Sequence, residues 1–372
     1  MHILKIIFIL LEVILLFNLL IFVHELGHFL AAKWRGLKID RFAIWFGKPI
    51  WEKKINGVTW CLGTIPAGGY VALPQMASME AIEGKTETKG EELPPISAMD
   101  KIIVAFAGPL FSLLLALTFA VLVWGIGRPV SETETTTQIG YVLTNGPADQ
   151  AGLKAGDKIL AIGGLPVSRF SGIGDSIMWR IVRSEGDTLP ITIQRGTQQL
   201  TLETHPTREK TKALERKALK EIQVSAKETP IVAKVEPGMP ADKAGLKAND
   251  IVEAVNGQPI YHPQALVETI KTNLDKPVAL TIKRGKQTIE TSITPVLAET
   301  PEETEDTPKG TKIPRIGIGW ERGGLMTVDH PDPITQIKAS VNAMVSTLGA
   351  VISRKSDIGL QHLRLPGFDR HL

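Results

Sequence analysis

Five residues near the N-terminus, His24-Glu25-Leu26-Gly27-His28, have the types and spacing of a metal-dependent hydrolytic site. Residues four apart share one face of an α-helix, so His24 and His28 project side by side, a spacing that suits two imidazoles on one zinc ion. Glu25 lies next to them around the turn, where a carboxylate reaches a water at the metal's open position and acts as general base. The alternatives are a chance occurrence of the pattern and two histidines at a helix end that lipid headgroups satisfy.

The pentapeptide follows a strongly apolar segment. Residues 6–23 are interrupted only by Glu12 and Asn18, and residues 102–126 contain no charged residue. Each segment is long enough to cross a hydrocarbon core of about 30 Å as a helix. Ionisable groups at the end of a spanning helix are costly when they are unpaired, so they favour a functional site over the alternatives.

The bulk composition indicates apolar segments combined with ordinary polar domains. The mean hydropathy is +0.07 although 22% of the 372 residues are charged. The net charge of +3 predicts no nucleic-acid partner. Cys61 is the single cysteine, which excludes an intrachain disulfide framework and a cysteine-based zinc cluster.

The flanks of the two apolar segments predict their orientation. The loop after the first segment is rich in lysine and arginine, whereas the N-terminal flank carries only His2 and Lys5. The positive-inside rule therefore places residues 33–100 in the cytoplasm and the chain after Arg128 outside. A signal peptide cleaved near residues 29–32 is the alternative for the first segment, but cleavage there would discard the histidines, and we favour a retained helix.

An internal repeat occupies the region after the second apolar segment. From Pro147 to Val167, 12 of 21 positions are identical to those 93 residues later, which indicates a duplicated small domain. Each copy predicts a strand, a short helix, a turn, a strand, a longer helix (about 173–183 and 262–272) and a hairpin. The pattern PAxxAGLxxGDxI resembles bacterial, permuted PDZ domains. Such domains bind peptides by strand addition, and a structural spacer with an unfilled groove is the alternative.

Several motifs together resemble the site-2 protease family of intramembrane zinc metalloproteases, the M50 peptidases. The sequence HELGH lies in the first apolar helix, and Ala107-Gly108-Pro109-Leu110-Phe111-Ser112 resembles the family's AGPxxN motif, with Ser112 in place of Asn. The segment IPAGGYV at residues 65–71 resembles the family's IPxGGYV segment in a membrane-associated β-hairpin. The residues 315–319 and 356–363 resemble the family's stretches after the PDZ domains and before its LSGPVGI motif.

The resemblance implies the fold, the reaction and the residues of the site. It implies a multi-pass α-helical membrane protein with a membrane-associated β-hairpin and two small α+β PDZ-like domains, in the bacterial inner (cytoplasmic) membrane with the PDZ domains periplasmic. It implies hydrolysis of a peptide bond of a membrane-anchored substrate, such as an anti-sigma factor, with peptide C-termini bound at the PDZ domains. The implied site is zinc on His24 and His28, Glu25 as base, and Gly68, Gly69, Tyr70 and Ser112 near the substrate.

One feature of the family has no counterpart. The family takes a third metal ligand from an Asp in an LDG motif of a later helix, and no LDG occurs in this chain. The resemblance ends at Leu363, so we expect a truncation or a frameshift that leaves an unrelated tail with Asp369 and His371. A catalytically inactive, membrane-tethered PDZ adaptor is therefore the alternative function.

The sequence thus predicts eight segments. They are transmembrane helix 1 (1–32), a cytoplasmic loop with the β-hairpin (33–100), transmembrane helix 2 (101–127), PDZ-like domain 1 (136–205), a charged linker (206–222), PDZ-like domain 2 (223–297), an acidic disordered linker (298–312) and a C-terminal strand with an amphipathic or membrane-associated helix and a short tail (313–372).

Overall fold

The computed structural model describes residues 2–76, 94–208, 219–300 and 310–352. The chain divides into two units, residues 1–126 and 127–372, and each is described by itself. The predicted charged helical linker, the acidic linker and the C-terminal tail fall largely or wholly outside the described residues. Those predictions therefore stay predictions.

Two long apolar helices form most of the first unit: α1 (His2–Trp34) and α2 (Ala98–Ile126). Helix α1 ends in a Schellman motif, in which Gly36 adopts a φ of +73° and the Leu37 N–H donates to the Ala32 carbonyl at 2.9 Å. Ser97 precedes α2 and caps it, since its hydroxyl accepts from the Asp100 N–H at 3.1 Å. By length and composition, these are the two helices in the described ranges that could cross a membrane.

Asn18 is the one neutral polar residue in the long apolar run of α1, and its polar atoms are satisfied inside the unit. Its amide donates to the Ile14 carbonyl at 2.7 Å, and its side-chain oxygen accepts from the Trp45 indole N–H. Trp45 has a φ of +69°, a conformation that bulky residues rarely adopt. Trp45 lies within strand Arg41–Phe46 of the sheet, where the pairing register shifts, so this hydrogen bond joins the helix to an irregular position of the sheet.

Residues 41–72, between the two helices, form a four-stranded sheet, where the sequence predicts a β-hairpin. Its strands are β1 (Arg41–Phe46), β2 (Trp51–Ile55), β3 (Val58–Leu62) and β4 (Ile65–Ala72), in the order β2-β3-β1-β4. The β2–β3 turn uses Asn56 and Gly57, both at positive φ, as type I′ hairpins require. The segment at residues 65–71 that the sequence places in a hairpin forms β4. This strand lies at the edge of the sheet and pairs antiparallel with β1.

Aromatic side chains join the end of α1 to this sheet. Phe42 is 1% exposed, and its ring centroid lies 4.6 Å from that of Trp60 and 5.6 Å from that of Phe29. Offset and edge-on aromatic pairs at such distances stabilise a core beyond the area they bury. The cluster fixes the sheet against the last two turns of α1.

The two repeats of the second unit have the predicted order of elements, and we call them copy 1 and copy 2. Each has a four-stranded sheet, one long hairpin and two helices. Copy 1 comprises β6 (Ile139–Val142), α4 (Pro147–Gln150), β7 (Lys158–Ile162), β8 (Leu165–Pro166), α5 (Ile177–Val182), β9 (Leu189–Arg195), β10 (Gln198–Thr204) and β11 (Val224–Ala226). Copy 2 comprises β12 (Val232–Val235), α6 (Pro240–Lys243), β13 (Ile251–Val255), β14 (Gln258–Pro259), α7 (Pro263–Thr272), β15 (Val278–Arg284), β16 (Gln287–Ile293) and β19 (Ile318–Trp320).

The structure differs from the predicted domain boundaries because each copy is completed by a distant strand. Strand β11 pairs with β6, although the sequence assigns residues 224–226 to the second domain. Strand β19 pairs in the same way with β12, although the sequence assigns residues 318–320 to the C-terminal segment. Strand pairing at this separation leaves no local signal in the sequence.

Helix α5 is also shorter than predicted, beginning at Ile177 instead of near residue 173. Gly172 and Gly174 adopt φ values of +110° and +105°, which interrupt a helix there. Ser176 instead caps the helix and accepts a hydrogen bond from the Trp179 N–H.

A buried carboxylate anchors the turn before the central strand in each copy. Asp250 is fully buried and accepts two hydrogen bonds from Arg284, at 2.7 and 2.8 Å, and Arg284 also donates to the Gly245 carbonyl. Asp157 and Arg195 repeat this arrangement in copy 1. Burial alone would raise the pKa of Asp250, but the bonds from Arg284 and the Lys247 N–H hold it below its usual range.

The remaining elements of the second unit lie outside the copies. They are β5 (Arg128–Ser131), α3 (Glu132–Thr135), β17 (Val296–Glu299), β18 (Lys312–Arg315), β20 (Met326–Asp329) and α8 (Pro333–Ile352). Strand β5 pairs with β20, and β17 pairs with β18. The Ser346 hydroxyl of helix α8 accepts from the Trp179 indole of α5 and from Arg183, which follows α5.

His262 makes the stability of copy 2 dependent on pH. Its Nδ1 accepts from the Gln264 N–H at 3.0 Å and so caps α7, which only a neutral ring can do. Burial lowers the pKa of His262 to about 4 from 6.5. The folded state therefore resists protonation, and the unfolded state binds the proton first as the pH falls. The free energy of unfolding that His262 contributes is thus full above pH 6.5 and decreases as the pH drops toward 4.

We expect wild-type copy 2 to lose on the order of 1–2 kcal/mol of unfolding free energy between pH 7.5 and pH 5 through this group. The His262→Asn variant keeps a capping oxygen and does not titrate, so it should lose less. Glu228 lies 3.6 Å from His262 Nε2, and burial raises its pKa. Its contribution to stability therefore changes with pH in the opposite direction to that of His262, and it does so in both proteins. Urea unfolding of the detergent-solubilised chain measures this difference, and equal pH dependence in both proteins would refute the role of His262.

Candidate metal centre

The three ionisable residues of the HELGH segment lie together on α1 and face the interior of the first unit. Glu25 and His28 are 7% and 5% exposed, and His24 is half-buried. This burial differs from the rest of the apolar part of α1, whose side chains are mostly exposed. The helix therefore turns the face with His24 and His28 inward, whereas most of its apolar side chains are exposed.

The two imidazoles converge on one point. The Nε2 atoms of His24 and His28 lie 3.3 Å apart, and the ring centroids lie 4.9 Å apart. Two nitrogen ligands at 2.0–2.1 Å from a tetrahedral zinc ion lie about 3.3 Å from each other. The separation therefore fits two ligands of one zinc ion, and the donor set is the one that zinc prefers.

Helix α2 supplies the partners that orient both rings. The Nδ1 of His28 lies 2.7 Å from the Val104 carbonyl oxygen, which can only accept, so Nδ1 carries the proton. The Nε2 of His28 is then left with its lone pair toward His24. The Nδ1 of His24 lies 3.0 Å from the Ser112 hydroxyl. Such partners fix ring orientation and tautomer at metal sites.

Glycines allow the two helices to approach this closely. A Cβ on Gly108 of α2 would lie 2.2 Å from His28 Nε2, and a Cβ on Gly27 of α1 would lie 2.5 Å from the Ala107 carbonyl oxygen. Real Cβ atoms do not approach other atoms so closely, so a side chain at Gly108 would displace the His28 ring and one at Gly27 would collide with the backbone of α2. The neighbouring Pro109 lacks an N–H and interrupts the hydrogen bonding of α2 at this level.

Strand β4 passes beside the same face of α1. A Cβ on Gly69 would lie 3.1 Å from Glu25 Cγ and 3.0 Å from Ile21 Cγ2, so the strand backbone packs directly on the helix next to the carboxylate. Gly68 has a φ of +73° and packs against the Phe46 ring, and Tyr70 stacks on the same ring at 6.3 Å. The structure thus brings Gly69 to the centre and directs Tyr70 to Phe46.

A third protein ligand is not evident within the described ranges, where no three His, Cys, Asp or Glu side chains cluster as a metal site. The predicted tail residues Asp369 and His371 lie outside those ranges. The described part of the chain thus provides two nitrogen ligands and one adjacent carboxylate.

Sequence reasoning missed the roles of Val104 and Gly108. The Val104 carbonyl has no side-chain signature, so no pattern could have revealed it. The Ala107-Gly108-Pro109 segment was visible as a motif in an apolar helix, where a small residue followed by proline signals a close helix contact.

Comparison with known proteins matches most of this chain to one protein family. The family model described as "Peptidase family M50" matches residues 12–355. A Neisseria meningitidis protein, named provisionally as a zinc metalloprotease, is 30% identical over 376 residues, covering 92% of this chain and 80% of its own. The Salmonella typhimurium protein named "Regulator of sigma-E protease" is 28% identical, covering 76% of this chain and 62% of its own. The chain thus spans less than two thirds of the Salmonella relative.

Solved structures of PDZ domains each match a part of this chain. The PDZ domain of an SdrC-like protein from Listeria monocytogenes is 21% identical, with a TM-score of 0.20, and covers 25% of this chain and 87% of that domain. The HtrA3 PDZ domain bound to a phage-derived ligand is 28% identical, with a TM-score of 0.17, and covers 19% of this chain and 65% of that domain.

We expect Gly108→Ala to weaken zinc binding by about tenfold or more, because the added methyl displaces His28 and breaks its bond to Val104. Gly125→Ala is the matched control, since a Cβ at Gly125 of the same helix meets nothing within 4 Å. Zinc content after dialysis against a competing chelator measures the effect. Equal retention by both variants would contradict the close-packing argument.

Proposed function

We propose that this chain, which belongs to peptidase family M50, is a zinc metalloprotease that cleaves a peptide bond within or near the membrane segment of an anchored protein. The observation that carries the proposal is the convergence of two imidazole Nε2 atoms, 3.3 Å apart, beside a buried carboxylate. Relatives named as zinc metalloproteases support the choice of metal.

Each residue of the centre has a role in this proposal. His24 and His28 would hold the zinc ion, which when bound supplies Lewis-acid chemistry for a water and for the scissile carbonyl. Glu25 takes the proton of the attacking water and gives it to the departing amine nitrogen. Val104 and Ser112 keep the two rings in the orientation that directs Nε2 to the metal.

The surroundings suit a substrate that arrives as an extended strand. A helical amide is shielded by its own hydrogen bonds, so a membrane helix must unwind before hydrolysis. Strand β4 is at the edge of its sheet, and an edge strand offers unpaired backbone groups to an extended peptide. Gly69 on that strand packs beside Glu25, so a peptide added to β4 would run close to the centre.

The membrane setting is part of the proposal. Helices α1 and α2 would span the bacterial inner membrane, and the second unit would be periplasmic. As the family resemblance implies, the substrate would be a single-span protein already trimmed outside, such as an anti-sigma factor. Copies 1 and 2, as PDZ-like domains, would bind peptide C-termini and admit trimmed substrates.

An adaptor without catalysis is the second candidate function. It is favoured because no group of three candidate metal ligands occurs in the described ranges. A cavity of about 270 Å³ in copy 1, between α5 and β11, has Met178, Ile181 and Val224 in its lining and would accept a peptide under either candidate. Under this alternative, peptides bind the copies but no bond is cleaved.

We expect Glu25→Gln to lower cleavage of a trimmed, membrane-anchored reporter by about a hundredfold or more, since it removes the general base. Zinc content should stay unchanged, because the two imidazoles remain. Glu12→Gln is the control, as it removes an exposed carboxylate from the same helix. The measurement is reporter cleavage in membranes containing each variant.

The result separates the two candidates. Cleavage by wild type and Glu12→Gln, lost in Glu25→Gln, supports the protease. Cleavage that survives Glu25→Gln refutes Glu25 as the base. No cleavage by wild type, together with retained binding of the reporter, favours the adaptor.

A further inference from the structure

A cavity of about 700 Å³ lies in the first unit where α1 ends, and the proposed proteolytic role makes no use of it. Its walls come from the last turns of α1, the loop after that helix, and the β2–β3 hairpin with its Asn56-Gly57 turn. Cavities of this size are typical of small-molecule and cofactor sites.

The floor of the cavity is apolar. Phe29, Leu37 and Ile39 line it and are themselves 9%, 7% and 9% exposed. Trp60 adds an aromatic face, held by its contact with Phe42 at 4.6 Å between ring centroids. A built aromatic and aliphatic floor accepts hydrocarbon and disfavours a small, fully hydrated ligand.

The lining is basic as well as apolar. Lys33, in the last turn of α1, and Lys38, in the loop, both line the cavity. Lys38 also lies 3.9 Å from Asp40, a long ion pair that a phosphate can share or replace. A lining that combines two lysines with apolar side chains complements an anion that carries hydrocarbon.

The position along α1 indicates where such a ligand comes from. Trp34 is 72% exposed and stands with Lys33 and Arg35 at the end of a helix whose apolar side chains are exposed from Leu4 onward. Tryptophan with basic residues marks the level of lipid headgroups at the end of a spanning helix. The cavity therefore lies at headgroup depth, beside the helix surface that acyl chains would cover.

We propose that this cavity binds the headgroup and first acyl carbons of an anionic phospholipid, with Lys33 and Lys38 contacting the phosphate. The inference uses the membrane placement of α1 proposed above but not the proteolytic chemistry. A bound lipid would also pack against Phe29, one turn beyond Glu25, and so contact the helix that carries the candidate centre.

The experiment measures retained lipid by native mass spectrometry of the full-length chain in detergent, with phosphatidylglycerol and phosphatidylcholine as probes. We expect one retained phosphatidylglycerol in preference to phosphatidylcholine. The double variant Lys33→Gln/Lys38→Gln should lower that retention by roughly tenfold, because each lysine near a lipid surface contributes to binding of anionic lipid. Retention is read without any cleavage assay, so a failed protease proposal leaves this result interpretable.

The matched control is Lys53→Gln/Lys54→Gln, which removes the same charge from exposed positions of β2 that do not line the cavity. It should retain phosphatidylglycerol as wild type does. Equal loss in both double variants would overturn the site in favour of diffuse surface attraction. Equal retention of the two lipids by wild type would overturn the selectivity for anions. Displacement by inorganic phosphate at equal concentration would overturn the lipid in favour of a simple anion site.

Discussion

Two glycines, Gly27 on α1 and Gly108 on α2, let the helices approach so closely that a methyl group at either position would collide with the facing helix. Everything else at the candidate centre depends on this approach. It puts the Val104 carbonyl within 2.7 Å of His28 and the Ser112 hydroxyl within 3.0 Å of His24. A single helix with two histidines has many ring orientations. Contact with α2 selects the one in which both Nε2 atoms meet.

Other polar side chains of the first unit are also satisfied by nearby partners. Ionisable and amide side chains in apolar helices are costly unless neighbours satisfy them, and two of them have a local partner here. Asn18 bonds to its own helix and to Trp45, and Arg35 pairs with Asp100 at 2.5 Å across the ends of α1 and α2. The exposed side chains of the two helices are mostly apolar.

The two copies of the second unit share the same stabilising contacts. In both copies a buried aspartate binds an arginine of the long hairpin, and in both a distant strand completes the fold. The copies differ in how their longer helix begins: Ser176 caps α5 after two glycines at positive φ, whereas His262 caps α7. A titrating cap therefore distinguishes copy 2 from copy 1.

The sequence by itself determined the features that depend on local periodicity and spacing. These are the two apolar helices, the placement of His24 and His28 on one helix face with Glu25 beside them, the repeat at 93 residues and the family resemblance, since each follows from spacing or motifs in the sequence. Only the tertiary structure decided the remaining features. The four-stranded sheet in place of a hairpin, the strands that complete each copy and the second bond of each histidine all join residues far apart in the chain. Such contacts follow from packing and from the absence of a side chain at Gly108, and neither leaves a periodic signal.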